Sequence, residues 1–314
     1  MLPPMGWLIA DIGGTTTHCA IARPGGTVDS VETFRNRDFP GLDRLLAAYL
    51  GVRPPGQRPD EAVIAIAAPI RGDEVRMVNI NWAFSLSALA RTLSLKRLIP
   101  LNDFAAQAYA LPVLGPGDLQ QVGGGKAVCG APKVVVGPGT GLGTAGLVSI
   151  AGRWHAITGE GGHVTMAPSD EREARIIALG RERFGHCSAE RLISGAGLAF
   201  VHSALSGAAA LAPAEVGARI AAGDATALEA LDVFFQLLGT VASNLALTFA
   251  AFGGVYIGGG ITPRYVEQFK TSGFRPRFED KGRYRPFLAD IPTWVITADE
   301  PALRGLAAYA EAQT

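Results

Sequence analysis

The run Val134-Val135-Val136-Gly137-Pro138-Gly139-Thr140-Gly141-Leu142-Gly143-Thr144-Ala145-Gly146-Leu147-Val148 decides how this chain folds. A β-branched apolar run enters a glycine loop, and a second apolar run leaves it. That is the pattern of strand, tight turn, strand. Glycine lacks the Cβ that would keep a bound group off the backbone. Successive amides in such a turn form a concave anion site, so phosphate is the natural guest. Residues 8–22 repeat the pattern around Asp11-Ile12-Gly13-Gly14-Thr15. Two such hairpins, distant in sequence, predict two related halves that close on one polyphosphate. No lysine follows the glycines, so neither is a P-loop. The second also fits a dinucleotide fingerprint poorly, because it lacks the G-x-G-x-x-G spacing and runs into a strand.

A length of 314 residues holds one large or two ordinary domains. Charge balances to zero, with 28 basic and 28 acidic residues. Nothing in that balance suggests a nucleic-acid or membrane-surface protein. The 40 glycines follow no period, which sets aside collagen-like and low-complexity chains. Cys19, Cys129 and Cys187 are unclustered and fit free thiols in a reducing, cytoplasmic compartment. The first apolar run follows no basic segment and is interrupted by Asp11, so no signal peptide is expected. Residues 237–261 carry no charge and are long enough to span a bilayer. Ser243, Asn244 and the glycines from Gly253 favour instead a buried helix ending near Gly253-Gly254, then the strand Val255-Tyr256-Ile257. Asp224 is its expected N-cap.

Elsewhere, Leu42, Leu45, Leu46, Tyr49 and Leu50 have helical spacing. Residues 62–68 are continuously apolar, as in a strand covered on both faces. Helices are expected at residues 85–93, 104–111 and 171–184, with a short strand at residues 98–101. Residues 115–132 form a loose crossing that leaves room for a short strand. A final helix starts at Pro301 after Asp299-Glu300. Strands alternating with helices predict an α/β fold.

Asp11 ends a strand just before a phosphate-type turn. Alone it reads as a turn residue; beside phosphate it makes sense as a holder of Mg²⁺, directly or through water. Asp103 reads as a helix N-cap or as a general base for a hydroxyl attacking phosphorus. Its place beside Asn102 at a strand end suits a ligand cleft. Glu160 and His163 are spaced like a metal pair, but Gly161-Gly162 disfavour a helix there, and a hydrogen-bonding role fits better. Glu190 is either another acceptor or a surface ion pair with an arginine. Two phosphate turns, the glycine cluster at Gly258-Gly259-Gly260, a base and several hydroxyl-binding carboxylates together form an inventory for phosphorylating a polyol.

The motifs resemble those of the bacterial-type glucokinases of the hexokinase/actin-like ATPase superfamily. They are DIGGT at residues 11–15, NDFAAQAYA at 102–110, GPGTGLG at 137–143, GEGGHVTMAP at 159–168, SAERLISGAGL at 188–198, GGVYIGGGITPR at 253–264 and FEDKGR at 278–283. The resemblance spans nearly the whole chain, in order. It implies a two-domain actin-like ATPase (ribonuclease H-like) α/β fold with a cleft between the domains. The small domain would be residues 1–112 plus 300–314, and the larger one residues 113–299. It implies ATP-dependent phosphorylation of glucose at the 6-hydroxyl with Mg²⁺, in a homodimer. Asp103 would be the base. Asn102, Asp103, Glu160, His163 and Glu190 would bind the sugar. Ala10, Asp11, Ile12, Gly13, Gly14 and Thr15, with Gly137, Gly139, Thr140 and Gly141, would flank the phosphates. Gly258, Gly259, Gly260 and Ile261 would lie near adenosine. Kinases for mannose, fructose or N-acetylglucosamine, and a sugar-binding sensor, are the rival functions. One departure stands out: Thr16 and His18 replace the family's usual amide and permanent cation.

Overall fold

A computed structural model describes residues 6–77 and 80–313. The expected domain limits at residues 1 and 314 lie outside the described residues. The chain divides into two compact units, Met1–Gly115 with Ala298–Thr314, and Pro116–Thr297. These junctions fall at 115/116 and 297/298, against the expected 112/113 and 299/300.

In the first unit, strands β1 (Trp7–Ile12), β2 (Thr16–Arg23), β3 (Thr27–Arg35), β4 (Glu61–Ile66) and β7 (Arg97–Asn102) form one sheet; β5 (Glu74–Arg76) and β6 (Ala83–Ser85) pair separately. The order in the main sheet is β3-β2-β1-β4-β7. The first three strands are antiparallel, and β1, β4 and β7 run parallel. Side chains alternate across a strand, so the apolar runs feed two cores. Leu8, Ala10, Ile12, Ile64 and Ile66 pack on one face with Leu42, Leu45, Leu46 and Tyr49 of helix α1 (Leu42–Gly51). Trp7, Ile9, Val63 and Ala65 pack on the other with Leu303, Leu306 and Ala307 of the C-terminal helix Pro301–Glu311. The unbroken apolar run in β4 is therefore a strand buried on both sides. Its valine and isoleucine side chains each contribute about 1.5–3 kcal/mol when removed from water.

Helix α2 (Leu86–Thr92) precedes β7, and α3 (Asp103–Ala110) follows it directly. The C-terminal helix packs on α3 so closely that a Cβ at Gly305 would strike the Ala106 carbonyl. That contact fixes how α3 leaves the sheet, and with it Asp103.

The second unit opens with β8 (Leu119–Gly123), a short strand inside the predicted loose crossing. Its sheet also contains β9 (Lys133–Pro138), β10 (Leu142–Ile150), β11 (Arg153–Gly159), β12 (Val255–Ile257) and β13 (Thr293–Ile296), in the order β11-β10-β9-β12-β13-β8. Strands β11, β10 and β9 are antiparallel, then β9, β12 and β13 run parallel. Strand β8 adds an antiparallel edge beside β13; apart from it the two units share one plan, an antiparallel meander extended by parallel strands.

Four helices matter for the second core: α4 (Glu171–Phe184), α5 (Gly195–Ser206), α6 (Pro213–Ala221) and α7 (Ala225–Phe249). Asp224 caps α7 as expected, accepting from the Ala227 amide at 2.9 Å. By length and composition α7 is apolar enough to cross a membrane, yet 72% of its most apolar window is buried. It packs against α5, α6 and the short helix Phe274–Glu279 as a core helix of this unit.

Candidate active site

The first glycine turn lies between β1 and β2, closed by a Gly13 N–H to Thr16 carbonyl bond of 3.0 Å. Asn36, in the 3₁₀ turn after β3, grips it from behind. Its side-chain amide donates to the Gly13 carbonyl at 2.8 Å, and its backbone N–H donates to the Thr15 carbonyl at 2.9 Å. Its side-chain oxygen accepts from the Thr17 hydroxyl at 2.8 Å. Asn36 is not among the residues that the sequence motifs mark. No local pattern marks it, because its partners lie some twenty residues away across two strands.

Register places the acidic groups. Ile12 pairs with Ile66, and Ile66 with Asn102, so the carboxyl ends of β1, β4 and β7 are level. Asp11 and Asp103 therefore share one sheet edge, the edge where open α/β sheets bind ligands. Burial pushes the Asp11 carboxyl up to about 7, with the charges of Asp103 and Glu300 adding to the shift. From sequence Glu300 is only half of the acidic pair ahead of the final helix; the fold brings it to the neighbourhood of Asp11. It precedes the C-terminal helix at a φ of 48°.

Asp103 does not cap α3. Asn102 does, accepting from the Phe104 N–H at 3.0 Å, and Asp103 is the first helical residue. Strand β7 runs through Asn102, and the extended conformation at its end is the one a cap needs. A carboxylate in the first turn is also favoured by the helix dipole. The departure at Thr16 and His18 is absorbed locally. The two ring nitrogens of His18 lie 3.3 Å from the Thr16 hydroxyl and 3.1 Å from the Thr33 hydroxyl. His18 Nδ1 is also 3.1 Å from a Glu300 carboxylate oxygen. The histidine thus ties β2 to the entrance of the C-terminal helix.

The second glycine turn joins β9 to β10, closed by a Gly139 N–H to Gly141 carbonyl bond of 2.8 Å. Its carbonyls are taken up by neighbours. Gly258 N–H donates to Val136 at 2.9 Å, Ile261 N–H to Pro138 at 3.2 Å, and Gly195 N–H to Gly139 at 2.9 Å. Gly258, Gly259, Gly260 and Ile261 therefore lie beside Gly137, Gly139, Thr140 and Gly141 in one neighbourhood.

Glu190 reaches the same turn, its Oε2 accepting from the Leu142 N–H at 3.0 Å. A Cβ at Gly141 would stand 2.5 Å from that oxygen, so any larger residue there displaces the Glu190 carboxylate. The other carboxylate oxygen is 3.9 Å from His163 Nδ1. Glu190 is thus no surface partner of an arginine. Glu160 precedes a single 3₁₀ turn, Gly161–His163, despite the two glycines. The loops carrying Glu160, His163 and Glu190 are stitched together by a Thr165–Ser188 bridge and an Ala189 N–H to Val164 carbonyl bond of 2.9 Å. Tertiary pairing thereby outweighs poor helix propensity at this point. Ala10, Asp11, Ile12, Gly13, Gly14, Thr15, Asn102 and Asp103 belong to the first unit. Glu160, His163, Glu190 and both remaining glycine segments belong to the second.

The glucokinase family model matches residues 8–313. The chain belongs to the glucokinase family. It is 49% identical over 314 residues to a glucokinase of Chromobacterium violaceum, covering 98% of this chain and 90% of that one. A crystal structure of a glucokinase from an Antarctic psychrotroph superimposes with a TM-score of 0.88 at 32% identity, covering 97% of this chain and 98% of that one. A Balamuthia mandrillaris glucokinase solved in complex with glucose shares the fold, with a TM-score of 0.76 at 20% identity, covering 98% and 93%. The fold of this glucokinase-family chain is accordingly the two-domain actin-like ATPase α/β fold expected from the motifs.

Proposed function

We propose that Asp103 is the general base in the ATP-dependent phosphorylation of glucose that this glucokinase-family enzyme carries out. The glucose 6-hydroxyl oxygen attacks the terminal phosphorus of ATP in line. A new P–O bond forms, the bond to the β-phosphate oxygen breaks, and ADP leaves with its electron pair. The hydroxyl proton passes to the Asp103 carboxylate as the bond forms. The observation that carries this assignment is the level register of β1, β4 and β7, which sets Asp103 at the first turn of α3 within electrostatic reach of Asp11.

We assign sugar hydroxyls to Asn102, Asp103, Glu160, His163 and Glu190, whose carboxylates accept and whose imidazole donates or accepts. Phosphates go to the backbone of the two glycine turns, and adenosine to Gly258 through Ile261. Magnesium fits Asp11. Its carboxyl is pushed up to about 7 mainly by burial, with the charges of Asp103 and Glu300 adding, and a dication would offset that negative charge. Among the described residues no cluster of three or more His, Cys, Asp or Glu forms a cage. Magnesium uses few carboxylates and keeps several waters, so a lone aspartate suits it. When bound, magnesium screens the phosphate charge that would repel the attacking oxygen. Asp11 would hold it, directly or through water.

We further propose a small domain of residues 1–112 plus 300–314 and a large one of residues 113–299, working as a cytoplasmic homodimer. Light scattering tests the dimer. The catalytic assignment is tested with glucose, ATP and Mg²⁺, followed as ADP release. Asp103→Ala should lose about 10²- to 10⁴-fold in kcat while still binding glucose. Near-normal kcat in that variant rejects Asp103 as the base.

A further inference from the structure

Asn36 spends three polar groups on the first glycine turn and its flank, and it is fully buried, as is Thr17. In a planar trans peptide the carbonyl and the following N–H point in opposite directions. Drawing the Gly13 carbonyl inward therefore turns the Gly14 N–H outward. Among the described residues neither the Gly14 nor the Thr15 amide has a protein acceptor. The outward Gly14 amide, with the Gly13 carbonyl of the same peptide tied down behind it, and the neighbouring unpaired Thr15 amide make an anion seat.

We infer that Asn36, oriented by the Thr17 hydroxyl, is a positioning residue for ATP: it presets the Gly13–Thr15 turn so that its amides meet phosphate without reorganising. This rests on the assignment of that turn to phosphate. Preorganised backbone donors stabilise developing charge because the protein has already been fixed around them. Freed from Asn36, the turn would keep its sequence but lose its single orientation, and part of the binding energy would go into restoring it. The clasp touches nothing assigned to sugar, so its loss should fall on the nucleotide alone.

Two near-isosteric changes isolate the clasp. Asn36→Asp keeps the acceptor for Thr17 but sets a carboxylate oxygen against the Gly13 carbonyl. Thr17→Val removes only the hydroxyl, and Thr17→Ser restores it. A lost buried hydrogen bond with an unsatisfied partner corresponds to about tenfold. The KM for ATP should therefore rise about tenfold or more in Asn36→Asp and several-fold in Thr17→Val. Thr17→Ser should stay within about twofold of wild type. Glucose affinity without nucleotide, read by calorimetry, should stay within about twofold in all three.

The inference is overturned if ATP and glucose weaken in proportion, or if ATP KM stays unchanged in folded variants. Should Asn36→Asp fail to fold, the Thr17 pair decides by the same split. Gly14→Val, a change in the turn itself, separates the layers. If it leaves ATP KM unchanged, the turn is no phosphate seat. If it raises ATP KM while the Asn36 and Thr17 variants do not, the turn stands and the clasp falls.

Discussion

The two glycine turns occupy matching places, each at the tip of the hairpin whose first strand borders the parallel half of its sheet. Each is gripped by one side chain from a distant segment. Their clasps differ in kind. Asn36 is neutral, sealed from solvent and fully engaged with the turn and its flanking strand. Glu190 is charged and about one-quarter exposed, with one oxygen on the Leu142 amide and the other toward His163. A sealed clasp serves its turn alone. An open one answers both to its turn and to whatever approaches from solvent, which in our assignment is the sugar. The difference implies that damage to Asn36 separates ATP from glucose, whereas damage to Glu190 joins them.

Between the two clasps, the largest expected effect comes from Gly141→Ala. Its new Cβ would stand 2.5 Å from the Glu190 oxygen, a separation that forces the carboxylate or the turn to move. We expect kcat/KM to fall about 100-fold or more, with KM for both substrates affected. A variant that weakens ATP alone would break the comparison.

Glu190→Gln should be milder, because its amide oxygen still accepts from Leu142. Without the negative charge, hydrogen bonds to glucose weaken, so KM for glucose should rise about tenfold and KM for ATP only about threefold. Initial-rate kinetics with each substrate varied would show the ratio. The reverse ordering would mean that Glu190 belongs to the nucleotide.

The smallest effect is on stability and belongs to the first turn alone. Asp11 is pushed up to about 7 from an ordinary 3.8, mainly by burial. Between those values the folded chain keeps a proton that the unfolded chain has released. Stability of the nucleotide-free chain should therefore fall as pH rises from about 4 to about 7, then level off for this group. Asp11→Asn should flatten that part of a denaturant-unfolding profile. A wild-type curve parallel to the variant's across the window would remove the raised Asp11 titration from the account.

Much of this arrangement was legible in the chain itself. Both hairpins, the doubly covered strand after Asp60, helix α4 to its end residues and the Asp224 cap follow from period, caps and glycine placement, which act over a few residues. The shared strand order of the two units does not, because order is set by packing between segments far apart. Glu190 and Leu142 are 48 residues apart, and nothing local records their bond. Asn102 and Asp103 are equally good caps by type, so only the end of β7 decides between them. The motif resemblance supplied candidate ligands, but not what holds them. Asn36, and the approach of Glu300 to Asp11, emerge only in the fold.

The most direct measurement is a single-turnover experiment on Asp103→Asn, saturated with glucose and magnesium–ATP and quenched on the millisecond scale. The substitution keeps size and hydrogen bonding but removes the base. The account predicts phosphoryl transfer slower than wild type by about 10²- to 10⁴-fold, with both substrates still bound. A transfer rate within about threefold of wild type would contradict it.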